Sequence, residues 1–350
     1  MKEVRFASAD DRQAWDAFVA SRPEADPLQS WAWGEANATA GERPLRLLAT
    51  GDDGALRAVA QLLVRSAGFG RAVVYVPHGP VWDRGAADVT DLLGRLVSGI
   101  HDQALAERAI VVKVDPRAAA PPGPGDLADQ LRALGFITAR HDLQARTTRI
   151  VDLLDGRDEL MGTWDKDARN LVRRSAKEGV TTTTDRTGDA DAIAAFHGLL
   201  ETTSSRAGFR IRSATFLATL ARELVTSGGW FLTLASLKGR PIAGAVALRT
   251  GDRAIYAYGA SLREPELKHA NGAYAALSAT MRALADDGVQ TLDLWGVVEP
   301  GDPEADAEWA GFSAFKRQFG GDALRHPGTF DLVVDPLFYR LRDLRERLRG

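Results

Sequence analysis

The residues of this chain that could do chemistry are carboxylates, cations and aromatics, and none of them is a thiol. Cysteine is absent from all 350 residues, which rules out a thiolate nucleophile, a disulfide framework and any sulfur-ligated zinc cluster. Six histidines, His78, His101, His141, His197, His269 and His326, are scattered without HExxH or another ligand spacing, so no metal set is read. The cations are patterned more tightly. Arg169, Arg173 and Lys177 stand four apart on one face of a helical stretch, which lines up three positive charges. That face is either solvated and paired with Asp165, Asp167 and Glu178, or it meets phosphate. Ser313-Ala-Phe-Lys316 spells SxxK, but no SDN or KTG segment accompanies it, so penicillin-binding chemistry is not supported. The net charge of −3, from 44 Lys+Arg and 47 Asp+Glu, means that a polyanionic partner must be met by local basic patches.

Most of these positions lie in a unit that the chain uses twice. Trp230–Ser236, a Lys238-Gly239-Arg240-Pro241 turn, Ile242–Arg249, a Gly251-Asp252 turn, Ile255–Ser261, a helix Ala273–Asp286 stopped by Gly288, and Thr291–Trp295 read β-β-β-α-β. Leu45–Thr50, the turn at Gly51-Asp52-Asp53-Gly54, Leu56–Ser66, Ala72–Pro77, a helix Leu92–Ala106 and Ile110–Val114 repeat that order. Tyr75 and Tyr256 are 181 residues apart, and so are Val111 and Leu292, so the register holds across a whole unit. Two helices precede each copy: Ala9–Ala20 and Gln29–Ala40 in the first, Ala190–Arg206 and Ala214–Ser227 in the second.

Between the copies come a Pro/Gly-rich loop Ala118–Gly125, a helix Leu127–Leu134, and extended runs Phe136–Ala139 and Thr148–Leu153, where the domains should cross over. Asp158–Glu178 reads as one long helix, apolar at Leu160, Trp164 and Leu171 and basic at Lys166, Arg169, Arg173, Arg174 and Lys177. Beyond the second copy lie Trp309–Gly321, a strand-like run Pro327–Val334, and a helix Pro336–Arg349. That helix carries a Leu337, Leu341, Leu344, Leu348 stripe among arginines read as solvated. The expected organisation is α/β (α+β): a first domain of 1–147 plus 322–350 and a second of 148–321, each a mixed sheet flanked by helices. The chain is long enough for each to bury its own core, and 45% hydrophobic with 26% charged residues is a globular composition. The acidic, amphipathic N-terminus is no secretory signal, and no run reaches membrane-spanning length. A cytoplasmic monomer is expected.

An open β-β-β-α-β sheet with helices in front resembles the GNAT acyltransferase fold, present here in tandem. Acetyl-CoA enzymes of that fold carry, after the third strand, an Arg or Gln followed three positions on by a glycine loop that holds pyrophosphate on backbone N–H groups. The corresponding segments here, HGPVWDRG and SLREPELKHANGAY, lack it. Fold alone does not give function. Two alternatives stay open on the fold alone: an acetyl-CoA-dependent N-acyltransferase, and a non-catalytic GNAT pair acting as a binding module.

Six segments in order carry a more specific resemblance. They are Leu28–Gly34 (LQSWAWG), Tyr75–Asp83 (YVPHGPVWD), Arg169–Val180 (RNLVRRSAKEGV), Arg206–Phe209 (RAGF), Leu292–Gly296 (LDLWG) and Phe315–Gly320 (FKRQFG). Over most of its length the chain resembles the FemA/FemB/FemX peptidyltransferases, in the form without a long helical arm. That resemblance implies two GNAT-like domains and transfer of an amino acid from aminoacyl-tRNA to an amine of a muramyl-peptide precursor, UDP-linked or lipid-linked, with no cofactor. It places Phe315 and Lys316 at the aminoacyl-tRNA end, Asp83 where a carboxylate orients or deprotonates the acceptor amine, and Arg206 on the acceptor diphosphate. His78 stands where the family has tyrosine, and no lysine follows the QSWAW segment. Tyr256 and Tyr258 lie on the strand that would floor the second copy's cleft, as substrate contacts or core aromatics. Arg169, Arg173, Lys177, Lys316 and Arg317 concentrate positive charge for tRNA in the second domain. The first domain is read as the precursor side, and a lipid-linked acceptor would bring the chain to the inner face of the membrane as a peripheral contact.

Overall fold

The computed structural model describes residues 3–86, 89–118, 127–153, 160–208, 210–299 and 307–347. The loop over 119–125, Asp158 at the start of the long helical pattern, Phe209, Leu348 and Arg349 lie outside them. The chain divides into one unit of Met1–Arg146 with Arg325–Gly350 and another of Thr147–Leu324.

In chain order the first unit contains β1 (Glu3–Phe6), α1 (Arg12–Ala20), α2 (Trp31–Ala38), β2 (Arg43–Thr50), β3 (Leu56–Gly68), β4 (Arg71–Val76), β5 (Val81–Trp82), α3 (Val89–Ala106), β6 (Ala109–Val114), α4 (Leu127–Ala133) and β7 (Ile137–Thr138). The second unit contains β8 (Thr147–Asp152), α5 (Lys166–Lys177), β9 (Val180–Asp185), α6 (Ala190–Ala207), α7 (Ala214–Val225), β10 (Trp230–Leu237), β11 (Arg240–Thr250), β12 (Arg253–Ser261), α8 (Gly272–Asp286), β13 (Thr291–Gly296), α9 (Ala307–Arg317) and β14 (Asp322–Arg325). The chain then returns to the first unit with β15 (Phe330–Val333) and α10 (Pro336–Arg347).

Both sheets have the same strand order. The first runs β1-β2-β3-β4-β6-β15-β7 with β5 on β3, and the second, read from its other edge, runs β9-β10-β11-β12-β13-β8-β14. In each, the third and fourth strands of the repeat pair in parallel: Val73 faces Val111 in the first sheet and Ala254 faces Leu292 in the second. Those pairs are related by the same 181-residue offset found in the sequence. The strand next to that parallel pair comes from elsewhere in the chain, β15 beside β6 in the first unit and β8 beside β13 in the second, and both run antiparallel to that neighbour.

Apolar side chains decide where the helices lie. In the first unit Leu92, Leu96 and Ile100 of α3 pack on Leu62, Val74 and Val112 of the sheet. In the second, α8 places Ala276, Leu277, Met281 and Leu284 against Phe231, Ala245 and Leu292. Small residues on β11, Ala243, Ala245 and Ala247, leave room for that helix to sit close, and a Cβ on Gly272 at its start would already lie 3.0 Å from Ala243.

The single long helix expected over Asp158–Glu178 is not formed. A 3-10 turn over Leu160–Thr163 and then α5 take its place. Trp164 leaves the helical path to bury itself edge-on against Phe319, 5.1 Å between ring centroids. The Asp165 N–H bonds to the Gln318 carbonyl at 2.9 Å instead of continuing a helix. Tertiary contacts thus override local propensity. The edge strands β1 and β9 are further elements beyond the sequence reading: Val180-Thr-Thr-Thr-Thr-Asp has no apolar alternation, although its β-branched run suits an edge strand.

Candidate active site

In the second unit the chemistry gathers where α9 meets the end of β13. Phe312, Phe315 and Lys316 share one face of α9 by their spacing, and the helix tethers the last residue of β13 and the segment after it with three side chains. Lys316 Nζ donates to the Gly296 carbonyl at 2.8 Å, Arg317 donates to the Val298 carbonyl at 2.6 Å, and Ser313 Oγ accepts from the Val298 N–H at 2.9 Å. Ser313 is therefore a structural acceptor, which accounts for the SxxK spacing without nucleophilic chemistry.

Lys316 is only 1% exposed. Phe312, itself 44% exposed, has its ring centroid 4.1 Å from Nζ, and the Tyr256 centroid is 6.0 Å away. Burial pulls the ammonium pKa down to about 7, and the Asp293 carboxylate opposes that shift. Asp293 received no role from sequence, yet it shapes the site. It is buried, and its Oδ1 accepts from the Trp295 N–H at 2.6 Å and from the Thr148 hydroxyl. Trp295 is held at φ 64°, a conformation that costs a non-glycine residue about 1–3 kcal/mol. The next carbonyl along, that of Gly296, is the one holding Lys316.

Tyr256 is buried with its hydroxyl so close to the backbone of Gly259 that a Cβ there would lie 1.8 Å from it, so glycine is required at that position. Burial raises the Tyr256 phenol far above its usual range and pushes Tyr258 up to about 12, with Arg212 opposing in the second case. Both are neutral hydroxyls at physiological pH. The strand bulges at Ala257 between them.

Phe315 packs edge-on against Tyr274 and Phe319, 5.0 and 5.3 Å between centroids. Tyr274 in turn donates to the Gln318 side chain at 2.7 Å. Through Trp164 and Asp165 this aromatic cluster adjoins the start of α5. There Lys166, Arg169, Asn170 and Arg173, with Met161 and Gly162, line a cavity of about 500 Å³. Arg169 donates to the Gly162 carbonyl at 3.2 Å. Arg173 and Lys177 are exposed, whereas Ala168, Val172 and Ser175 form the buried side. Arg206 lies apart from this cluster, at the end of α6, donating to the Ser261 carbonyl at 3.2 Å. Burial and the neighbouring Arg263 cation hold its pKa below the ordinary arginine value.

In the first unit, two segments that look unrelated in sequence clasp one another. Gln29 donates to the Pro77 carbonyl at 2.6 Å and accepts from the Gln61 N–H at 2.9 Å, fixing the turn before His78. His78, at φ 47°, donates its backbone N–H to Asp115 at 2.6 Å, and its ring is bonded to the Asp26 carboxylate. Arg117 donates to the same Asp26 oxygen at 2.7 Å. Burial would raise the Asp26 pKa, but the charges and hydrogen bonds of His78 and Arg117 hold it well below the usual carboxylate range. Asp115, which also accepts from the Tyr75 hydroxyl at 2.7 Å, is instead pushed up to about 6 by burial. Asp83, just after β5, is ion-paired to Arg22 at 3.0 Å and Arg57 at 3.2 Å. With Asp52 and Asp53 it lines a cavity of about 450 Å³.

The structure thus brings Lys316, Phe315 and Arg317 into one cluster with Tyr256, and sets Arg169 and Arg173 beside it. His78 and Asp83 flank the short strand β5 in the first unit. Asp26, Asp115, Arg117 and Asp293 escape sequence reasoning. For Asp293 the signal is a carboxylate at an otherwise apolar strand position, in Leu292-Asp293-Leu294. Among the described residues no His/Cys/Asp/Glu group could hold a metal ion.

A family model described as an Acetyltransferase (GNAT) domain matches residues 165–327. The lipid II:glycine glycyltransferase of Staphylococcus aureus (strain bovine RF122 / ET3-1) is 25% identical over an alignment of 413 residues, covering 96% of this chain and 95% of that protein. A crystal structure of FemX superposes with a TM-score of 0.83 at 23% identity, covering 97% of this chain and 99% of that one. A tandem GNAT protein from the clavulanic acid biosynthesis pathway gives a TM-score of 0.57 at 14% identity, over 96% of this chain and 99% of that one. The fold is therefore a tandem GNAT pair.

Proposed function

We propose that this chain, a whole-length relative of the FemABX transferases, is an aminoacyltransferase that extends a peptidoglycan precursor with an amino acid taken from aminoacyl-tRNA. The observation that carries this reading is the similarity to a lipid II:glycine glycyltransferase over 96% of the chain. In the proposed reaction the neutral acceptor amine attacks the aminoacyl ester carbonyl, the new C–N bond forms, the ester C–O bond breaks, and the proton lost by the amine ends on the leaving oxygen, which departs as the tRNA hydroxyl. The ester is already activated, so catalysis consists of juxtaposing two anionic substrates and stabilising the oxyanion.

In this reading Lys316, as its ammonium, meets the developing negative charge, with Phe315 and Tyr256 shaping the wall beside it. Arg169, Arg173, Lys177 and Arg317 take tRNA phosphates, and the cavity beside α5 supports that assignment. Arg206 takes the acceptor diphosphate, a task suited to guanidinium. Asp83 orients the acceptor amine. Its carboxylate is held by Arg22 and Arg57, which fixes the position of an oxygen that can accept an N–H of the neutral amine. His78 contributes by fixing the turn that leads into β5, the strand that Asp83 follows.

Two affinities test the assignment. Arg173→Glu is expected to weaken aminoacyl-tRNA binding and to lower the magnitude of its log–log salt slope by about 0.7–0.9, the contribution of one phosphate contact. Muramyl-peptide binding should not change. Arg206→Ala is expected to do the reverse. An unchanged salt slope for Arg173→Glu would leave α5 as a solvated face. Calorimetry with acetyl-CoA should show no binding, and tight binding there would favour the acetyl-CoA reading.

A further inference from the structure

The last helix of the first unit is packed with its leucine stripe facing outwards. Phe338 and Tyr339 make the inward contacts of α10: Arg71 lies over the Phe338 ring at 4.2 Å, and the Tyr339 hydroxyl donates to Asp331 at 2.8 Å. Asp343 is ion-paired to Arg140 at 3.4 Å and to Arg347 at 2.8 Å. The other face exposes Leu337 by 65%, Leu341 by 53% and Leu344 by 55%, with Arg340 and Arg345 exposed between them. Spacings of four and three put those leucines on one stripe, and three exposed leucines in a row are not the scattered apolar residues of an ordinary surface.

A second, independent feature sits at the same end of the sheet. The β3–β4 hairpin holds Gly68, Phe69 and Gly70 at φ 83°, 52° and 66°, a tight left-handed tip that leaves Phe69 94% exposed. Two residues on, Arg71 both covers Phe338 and pairs with Asp335 at 3.0 Å, so the hairpin tip is tied to the start of α10. Arg108, in the turn before β6, completes the basic rim. Its carbonyl accepts from the Ala72 N–H, and no described residue forms an ion pair with Arg108, Arg340 or Arg345. Over 336–347 the sequence carries four arginines against Asp343 and Glu346.

We propose that Phe69 and the Leu337/Leu341/Leu344 face of α10 form a docking surface for an anionic lipid bilayer. The phenylalanine and leucines would enter the acyl boundary while Arg108, Arg340 and Arg345 meet lipid phosphates. An amphipathic helix with leucines on one face and arginines beside them binds membranes by apolar burial combined with attraction to anionic headgroups. Charge complementarity selects a lipid surface over a second copy of the chain, because symmetric pairing of this patch would place its arginines against one another. Among the described residues no helix is long and apolar enough to cross a membrane, so the contact is peripheral. The proposal stands on this patch alone and does not depend on which acceptor the chain uses.

The test is flotation of the full chain with phosphatidylcholine vesicles, with and without phosphatidylglycerol. Binding is expected only with phosphatidylglycerol, weakening as salt is raised. Both Phe69→Ser/Leu341→Ser/Leu344→Ser and Arg340→Glu/Arg345→Glu should lower the partition coefficient by at least about tenfold. These positions are exposed, so thermal melting should be unchanged, and that check separates loss of docking from loss of fold. Failure of the unaltered chain to float, equal binding to neutral vesicles, or full retention of binding by either variant would overturn the proposal. So would sedimentation showing a dimer that the leucine variant splits, since the patch would then be a self-interface.

Discussion

Lys316→Met is expected to lower the transfer rate by roughly a hundredfold to a thousandfold, the range for removing one charge-stabilising donor, while making the protein more stable. The two effects share one cause. The ammonium is buried with the Gly296 carbonyl as its hydrogen-bond acceptor, and burial lowers its pKa from 10.5 to about 7. Each pKa unit corresponds to about 1.4 kcal/mol between the protonation states, so holding the cation inside costs on the order of a few kcal/mol. A methionine of similar length removes that cost, and a stability gain of about 2 kcal/mol in denaturant unfolding is expected.

The same cause fixes the sign with pH. The cost is present in full below about pH 7 and is relieved between about 7 and 10.5, where the folded chain has released a proton that the unfolded chain still binds. The stability difference between Lys316→Met and the unaltered protein should therefore shrink over that window. Turnover of the unaltered protein should decline as pH rises through about 7, because the cationic fraction declines. A variant that keeps its activity, or a pH profile without that falling limb, would remove Lys316 from the reaction.

Asp26→Ala is expected to cost about 3–5 kcal/mol of stability, the range for breaking a buried ion pair from one side. Its Oδ2 carries both the Arg117 guanidinium and the His78 ring, and its Oδ1 caps the turn by accepting from the Leu28 N–H at 2.9 Å. Arg117 and His78 are themselves buried, so the variant leaves their polar groups in the interior without this counter-charge. The Asp26 pKa is depressed, so its contribution is present at neutral pH and is lost as pH falls below the ordinary carboxylate value. The equilibrium unfolding midpoint at neutral pH reads the effect. Asp26→Asn keeps the cap but not the charge, and it should fall between the two. A loss below about 1 kcal/mol for Asp26→Ala would mean that the network is surface-like in energy.

Whatever recurs locally is legible in the sequence. Alternating and helical runs mark the doubled unit, and the 181-residue offset is the spacing that relates the paired residues Val73–Val111 and Ala254–Leu292. The run at 327–334 reads as a strand beyond the second copy, and its core, β15, does join the first sheet beside β6. Features that join residues far apart in the chain are not legible. Asp26, His78 and Arg117 form one network from three loops, and no local pattern announces a buried carboxylate that waits for partners 52 and 91 residues away. The helix break at Trp164 arises from a contact with Phe319 that no local propensity contains. The stripe of α10 is visible, but a periodicity does not say which way a stripe faces. Phe338 and Tyr339, not the leucines, make its inward contacts.

The most direct measurement is transfer itself: single-turnover incubation of the full chain with radiolabelled aminoacyl-tRNA and, in parallel, UDP-linked and lipid-linked muramyl peptide. Label should move into the amine of at least one precursor, and Lys316→Met should bind both substrates yet leave the label on tRNA. If label reaches neither precursor while acetyl-CoA acylates an amine, the chain is an ordinary acetyltransferase on a doubled fold and the aminoacyl-tRNA reading is wrong.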